Sequence, residues 1–313
     1  MKICVQSQDL VDDLGMHEAY RLISESGFEA IDWNIDHAWN FSELLKAEKL
    51  ENLSIFEKSL DEILSHYSEE LAVIKENGLA ISQAHAPFGA YDPRRPEILD
   101  YAIEIYKNVI RFCAAVDCPR IIIHGISRQQ SYKNMTNDEC YALNRRLYES
   151  LIPTLREVGS VTVCLENLPM WDNYGGKTIL TGGCYTNPIT TASELDSLNE
   201  MAGGNYFGFC LDTGHLHICR TPFYDFIPTV GKRIVAFHIH DNDQTNDLHM
   251  MPYSGTIRWD VFLRELKAIG YDGDLSFETF AQVRTARIPK ELIPSFLRTI
   301  ADTAKYFRSE LLK

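Results

Sequence analysis

The chain reads as an α/β protein folded as one closed (β/α)8 barrel. Two observations predict this. Eight short apolar runs alternate with amphipathic helical stretches, and run after run stops on His, Asp or Glu. A parallel strand buried on both faces reads as a near-continuous apolar run. The carboxyl ends of such strands converge on one face of a barrel, so recurrent polar ends imply one shared polar site.

In chain order the strand candidates are KICVQS from Lys2, AIDWN from Ala30, LAISQAHA around Ile81 and RIIIHG around Ile121. VTVCLEN from Val161, YFGFCLD around Phe207, IVAFHIHD around Val235 and LSFETF around Ser276 complete the eight. Helical stretches lie between them at 17–26, 59–77, 97–116, 137–158, 191–201, 223–231, 259–269 and 290–312. The second carries Leu60, Ile63, Leu64, Tyr67, Leu71 and Ile74 at the three-to-four spacing of one helix face. Gly27, Gly78 and Gly270 close helical runs, as left-handed caps should. A doubly wound open sheet is the alternative. Against it, polar ends come from too many consecutive strands and no GxGxxG opens a helix.

The 313 residues suit one barrel of about 250 residues plus insertions, so 1–313 is expected to be a single domain. Three long segments on the catalytic face, about 34–55, 167–190 and 241–258, are the places for lids and substrate contacts. Thirty basic against 44 acidic residues leave a net charge of −14, which argues against a nucleic-acid partner. Eight scattered cysteines without a CxxC pair read as buried free thiols of a reducing compartment, and the expected location is cytoplasmic. The first residues, MKICVQSQ, read as a strand rather than a signal peptide, and no run approaches the roughly 20 apolar residues of a membrane span.

The residues that end the runs are His85, His124, Glu166, Asp212, His238 and Glu278. In a barrel they project into one cup. Carboxylate oxygens and imidazole nitrogens together suit Mn²⁺, Zn²⁺, Co²⁺ or Fe²⁺. Three carboxylates in one cavity repel unless a cation holds them or protons neutralise them. Any one of these residues alone is as well read as a hydrogen-bonded rim or core group. His240, two residues beyond His238, reads as a rim or second-layer residue, and His217 as part of a helix start.

The segments QAHAPF, IIIHG, CLENLP, CLDTGHLH, FHIHDND, DLHMMPYSGTIRWD and YDGDLSFETF resemble the xylose-isomerase-like TIM-barrel superfamily from Met1 through Phe280. That superfamily groups sugar and sugar-phosphate isomerases and epimerases, inositol-catabolic enzymes and type-IV apurinic endonucleases. The resemblance implies one divalent metal, manganese first, with Zn, Co, Fe or Mg also fitting. Its ligands would be Glu166, Asp212, His238 and Glu278. It implies substrate contacts from His215, His85, His124 and Trp171. The positions that hold extra ions in the endonuclease branch are also filled, so Asp247 and His249 are expected in a second metal site or a second ligand layer.

The expected activity is a metal-dependent isomerase or epimerase of a sugar, sugar acid or cyclitol, with Glu166 and Glu278 as the acid/base pair. Trp33, Phe88 and Trp171 either cover a sugar's apolar face or pack ordinarily. The expected partner is a small carbohydrate-like substrate, with no nucleic acid and no membrane; a homo-oligomer is open. The alternatives are a related lyase or dehydratase (including C-glycosidic bond cleavage), an endonuclease-like phosphodiesterase, and a binding protein on the same fold.

Overall fold

Eight parallel strands form the barrel: β1 (Ile3–Gln6), β2 (Ala30–Asn34), β3 (Ala80–His85), β4 (Arg120–Ile122), β5 (Thr162–Glu166), β8 (Phe207–Asp212), β9 (Ile234–His238) and β10 (Leu275–Phe277), with β6 (Leu168–Tyr174) and β7 (Lys177–Cys184) outside it. The computed structural model describes residues 1–35, 41–89, 91–126, 135–174 and 177–313. The strand order is β10-β1-β2-β3-β4-β5-β8-β9. The seam between β9 and β10 is closed by a parallel bridge, Ile239 to Phe277, in which the Ile239 N–H donates to the Ser276 carbonyl at 2.8 Å and the Glu278 N–H to that of Ile239 at 3.0 Å. Every residue of β1, β8 and β10 is buried, as a strand with barrel interior on one face and helices on the other must be.

The helices are α1 (Gln8–Leu14), α2 (Met16–Glu25), α3 (Phe41–Lys46), α4 (Leu60–His66), α5 (Ser68–Glu76), α6 (Glu97–Ala115), α7 (Asn137–Val158), α8 (Pro188–Ala202), α9 (Thr213–Ile218), α10 (Phe223–Val230), α11 (Trp259–Ala268) and α12 (Ile293–Leu312). Their boundaries follow local chemistry. Thr136 and Glu139 cap the start of α7 reciprocally, and Gly159 ends it at φ 71. One face of α6, including Ile98, Ile105, Val109 and Phe112, is buried against the barrel. Each such side chain contributes about 1.5–3 kcal/mol by leaving water.

All eight strand expectations fall on barrel strands. The differences lie between them. The 59–77 helix is two, broken at Tyr67, although the Tyr67 N–H still donates to the Ile63 carbonyl at 3.1 Å. The short helices α1, α3 and α9 add to the expected set. Segment 167–190 is largely an antiparallel hairpin, β6 with β7, whose register shifts at Met170/Trp171. Residues 36–40 of segment 34–55 and 175–176 of segment 167–190 lie outside the described residues. All eight cysteines are free thiols and seven are buried. Among the described residues, no helix is long and apolar enough to cross a membrane.

Candidate metal centre

The barrel places six strand-end residues around the carboxyl-terminal mouth, on β3, β5, β8 and β9 and just past β4 and β10. Glu166 is central. Its Oε2 lies 3.0 Å from His124 Nε2, and its Oε1 lies 3.1 Å from His238 Nδ1 and 3.4 Å from His215 Nδ1. Glu278 reaches the same imidazole, with Oε2 3.8 Å from His238 Nδ1. Glu166 and Asp212 offer ligand atoms within 4.8 Å of each other, and so do Asp212 and Glu278. Glu166, His238, Glu278 and Asp212 are therefore neighbours in a closed ring, each near the next. His85 Nε2 sits 2.9 Å from His124 Nε2 beside it.

Behind this ring is a second layer. His240 Nε2 lies 2.9 and 3.0 Å from the two oxygens of Asp212. The His215 amide donates to Asp212 Oδ1 at 2.6 Å, because Asp212 is the N-cap of α9. On the other side Asp32 Oδ2 lies 3.2 Å from His238 Nε2. Two local demands explain the LDTGH and HDND motifs. A Cβ on Gly214 would stand 2.0 Å from His240 Cε1, so glycine is what lets that ring approach. Asp241 is fully buried and accepts from the amides of Asn242 (2.9 Å), Tyr253 (3.1 Å) and Ile257 (3.1 Å) and from Trp259 Nε1 (2.9 Å). One carboxylate thus folds segment 241–258.

That segment delivers Asp247 and His249. Asp247 Oδ2 is 3.2 Å from His215 Nε2 and 3.1 Å from His249 Nε2. The His249 ring is stacked between His240, centroids 3.9 Å apart, and Phe280, 4.0 Å away. His249 holds φ 46, a left-handed backbone that costs a non-glycine residue about 1–3 kcal/mol and often marks a functional position.

Charge organises the site. Burial opposes ionisation of Glu166, yet His238 and His124 outweigh it and hold its carboxyl well below the usual range. Burial pushes Glu278 up to about 7, helped by Asp212 and Glu166 and opposed by His238 and His249. Burial disfavours charge on His238, but Cys210, Glu166 and Glu278 raise it well above the ordinary histidine value. His215 is raised likewise against its burial, by Asp212 and Asp247. Burial and His124 push His85 down to about 3. Without a cation, then, the surrounding carboxylates favour the protonated form of His238 and His215.

The donor set fits a divalent ion. Nδ1 of His238 is buried without a hydrogen-bond partner and faces the carboxylates of Glu166 and Glu278. The ring Nδ1 of His240, in contact with His249, is unpartnered too. His215, His240, Asp247 and His249 make one group of ligand atoms within 4.8 Å, and His85, His124 and Glu166 another.

The ring opens into a cavity of about 600 Å³. His85, His124, His215, Phe88 and Trp171 line it, as do Asp247 and His249. Residues that sequence reasoning did not single out also line it, among them Gln6, Asn34, Asp9 and Arg284. Arg284 is the one Lys or Arg on the wall among the described residues, and it pairs with Asp9 at 2.6 Å. Trp33 is absent from the cavity wall. It turns outward, buried against Tyr67 and Phe112, with Nε1 donating to Glu70 at 3.1 Å, so for Trp33 the packing alternative holds. His240 is wholly buried, which removes the rim alternative. His217 lies within α9 and contacts Thr256 Oγ1 at 2.9 Å. Asp32, a single Asp inside an apolar strand, carries no motif, and only strand alternation marks it.

A family model described as xylose isomerase-like TIM barrel matches residues 20–300. The uncharacterized protein y4fM of Sinorhizobium fredii (strain NBRC 101917 / NGR234) is 25% identical over 277 residues, 85% of this chain and 82% of that protein. An inosose isomerase of Bacillus velezensis (strain DSM 23117 / BGSC 10A6 / LMG 26770 / FZB42) is 26% identical over 129 residues, 39% of this chain and 46% of that protein. Among solved structures, D-psicose 3-epimerase in the presence of D-fructose superposes with a TM-score of 0.67 at 16% identity, over 98% of this chain and 99% of that one. The IOLI protein with a binding zinc atom gives 0.63 at 17% identity, over 99% and 98%. At these identities the structural likeness establishes the fold.

Proposed function

Because this chain belongs to the xylose isomerase-like TIM-barrel family, we propose that it is a divalent-metal-dependent isomerase or epimerase of a sugar, sugar acid or cyclitol. The observation that carries the reading is the pair Glu166 and Glu278. They come from strands on either side of β9 and approach one unpartnered nitrogen, His238 Nδ1, to 3.1 and 3.8 Å. Similar proteins named for an activity, D-psicose 3-epimerase and inosose isomerase among them, support the substrate class.

Glu166, Asp212, His238 and Glu278 would hold the ion, which when bound supplies Lewis acidity toward a carbonyl and its neighbouring hydroxyl. The chain's own groups then do the proton work. One glutamate removes the proton α to the carbonyl and the other returns it. Their environments drive the two carboxyls apart in acidity, the arrangement that lets one serve as base while its partner serves as acid. His215, His85 and His124 orient substrate oxygens, and Trp171 and Phe88 cover a carbon face.

The His215–Asp247–His249 group favours a second reading of the metal content, a further ion beside the first. A phosphodiester-cleaving reading is disfavoured by the net charge of −14 and by a cavity wall whose one described Lys or Arg is already paired.

The test is elemental analysis of purified protein, with a screen of ketoses and inosose-type compounds for C–H exchange in D₂O. Bound divalent metal together with exchange and an isomerised product supports the proposal. Exchange followed by loss of water or of a leaving group replaces it with the lyase reading. Metal-loaded protein without exchange in any compound contradicts it.

A further inference from the structure

We infer that Asp32 is the residue that sets the tautomer of His238, placing the ring hydrogen on Nε2 and leaving Nδ1 bare for the ion. This rests on the reading that the site holds a divalent cation. Asp32 is fully buried on β2, two strands from β10 and far from His238 in sequence. Its Oδ2 accepts from Gln83 Nε2 at 2.6 Å and Ser276 Oγ at 3.1 Å, and lies 3.2 Å from His238 Nε2. Gln83 Nε2 also donates to the carbonyl of Phe237 at 3.0 Å, the residue before His238. The carboxylate is thus tied to the backbone that carries the ring.

An ionised carboxylate only accepts hydrogen bonds. Facing Asp32, Nε2 carries a hydrogen, since a lone pair there would oppose the carboxylate's own at 3.2 Å. Nδ1 faces the other proposed ligands, Glu166 Oε1 at 3.1 Å and Glu278 Oε2 at 3.8 Å, so an ion among them takes the place of any hydrogen on Nδ1, while Asp32 holds the one on Nε2. The anion behind the ring also makes Nδ1 a stronger donor to a cation, and such outer carboxylates typically set metal affinity by about 10–100-fold.

The experiment compares wild type, Asp32→Asn and Ser276→Ala. Zinc dissociation constants are measured by chelator competition, and ¹⁵N and ring-proton shifts of His238 are recorded in the zinc-loaded proteins. The expected result is Nδ1 ligation with a hydrogen-bonded Nε2–H in wild type. Asp32→Asn should weaken zinc by about 10–100-fold and move the Nε2–H signal. Ser276→Ala removes another donor to the same oxygen and should leave zinc affinity within about twofold, since the Asp32–His238 contact remains. Ligation through Nε2, an unchanged affinity and signal in Asp32→Asn, or an equal loss in Ser276→Ala overturns the inference while leaving the metal site standing. A wild type that binds no divalent metal overturns both.

Discussion

His240 grips Asp212 from below, its Nε2 within 2.9 and 3.0 Å of both carboxylate oxygens, at a position with no solvent exposure. Burial lowers the His240 pKa, and Asp212 opposes that shift without overcoming it. A neutral ring donating one hydrogen fixes the carboxylate without neutralising it. Replacing His240 by Leu should weaken metal binding by about 10–100-fold, read by competition with a chelator. Gly214→Ala should act on the same contact, since the new Cβ would meet the His240 ring at 2.0 Å. Overpacking of this kind costs about 1–3 kcal/mol, visible in urea unfolding.

Asp241 predicts a stability effect at a distance from the ligands. Its four accepted hydrogen bonds hold the ends of the segment that carries Asp247 and His249. In Asp241→Ala the Trp259 indole N–H and three amides lose their acceptor. Each buried donor left unpaired costs about 1–3 kcal/mol, so a loss of several kcal/mol is expected by denaturant titration. Protease sensitivity between Asn242 and Ile257 should rise with it.

Metal removal and pH should be linked. The folded-state pKa of Glu278 is raised to about 7, so between the unfolded value and 7 the apoprotein binds a proton that the unfolded chain does not. Stability from this group is present at low pH and is lost as pH rises through about 7. His238 and His215, also raised, contribute in the same direction and lose their contribution above their own folded values. Ligands must shed these protons to bind an ion. Adding Zn²⁺ or Mn²⁺ to apoprotein near pH 6.5 should release protons into weak buffer, and apparent affinity should fall as pH is lowered. Saturating metal at 100 times its Kd should stabilise the fold by about 2.7 kcal/mol, and excess chelator should reverse the gain.

Much of this is legible in the sequence alone. The barrel strands are buried on both faces, so apolar runs mark them, and the polar residue that ends each run marks the mouth. Glu166, Asp212, His238 and Glu278 are visible for that reason, and the structure brings them together. What stayed hidden needs spatial phase. Strand alternation places Asp32 and Asn34 on one face of β2 and Trp33 on the other, which excludes Trp33 from the cavity and brings Asp32 inward. That alternation is legible in AIDWN itself. The β6–β7 hairpin had no such signal, because its glycines and its register shift break the alternation that identifies a strand pair.

The most direct test of the account is solvent-deuterium incorporation into substrate by metal-loaded Glu166→Gln and Glu278→Gln proteins, with metal content and unfolding midpoint measured alongside. Glutamine keeps the shape of each side chain and removes its capacity to carry the proton. The account predicts exchange reduced by about 10²–10⁴-fold in each variant, with the fold intact. Wild-type exchange rates in both variants would contradict the two-glutamate mechanism.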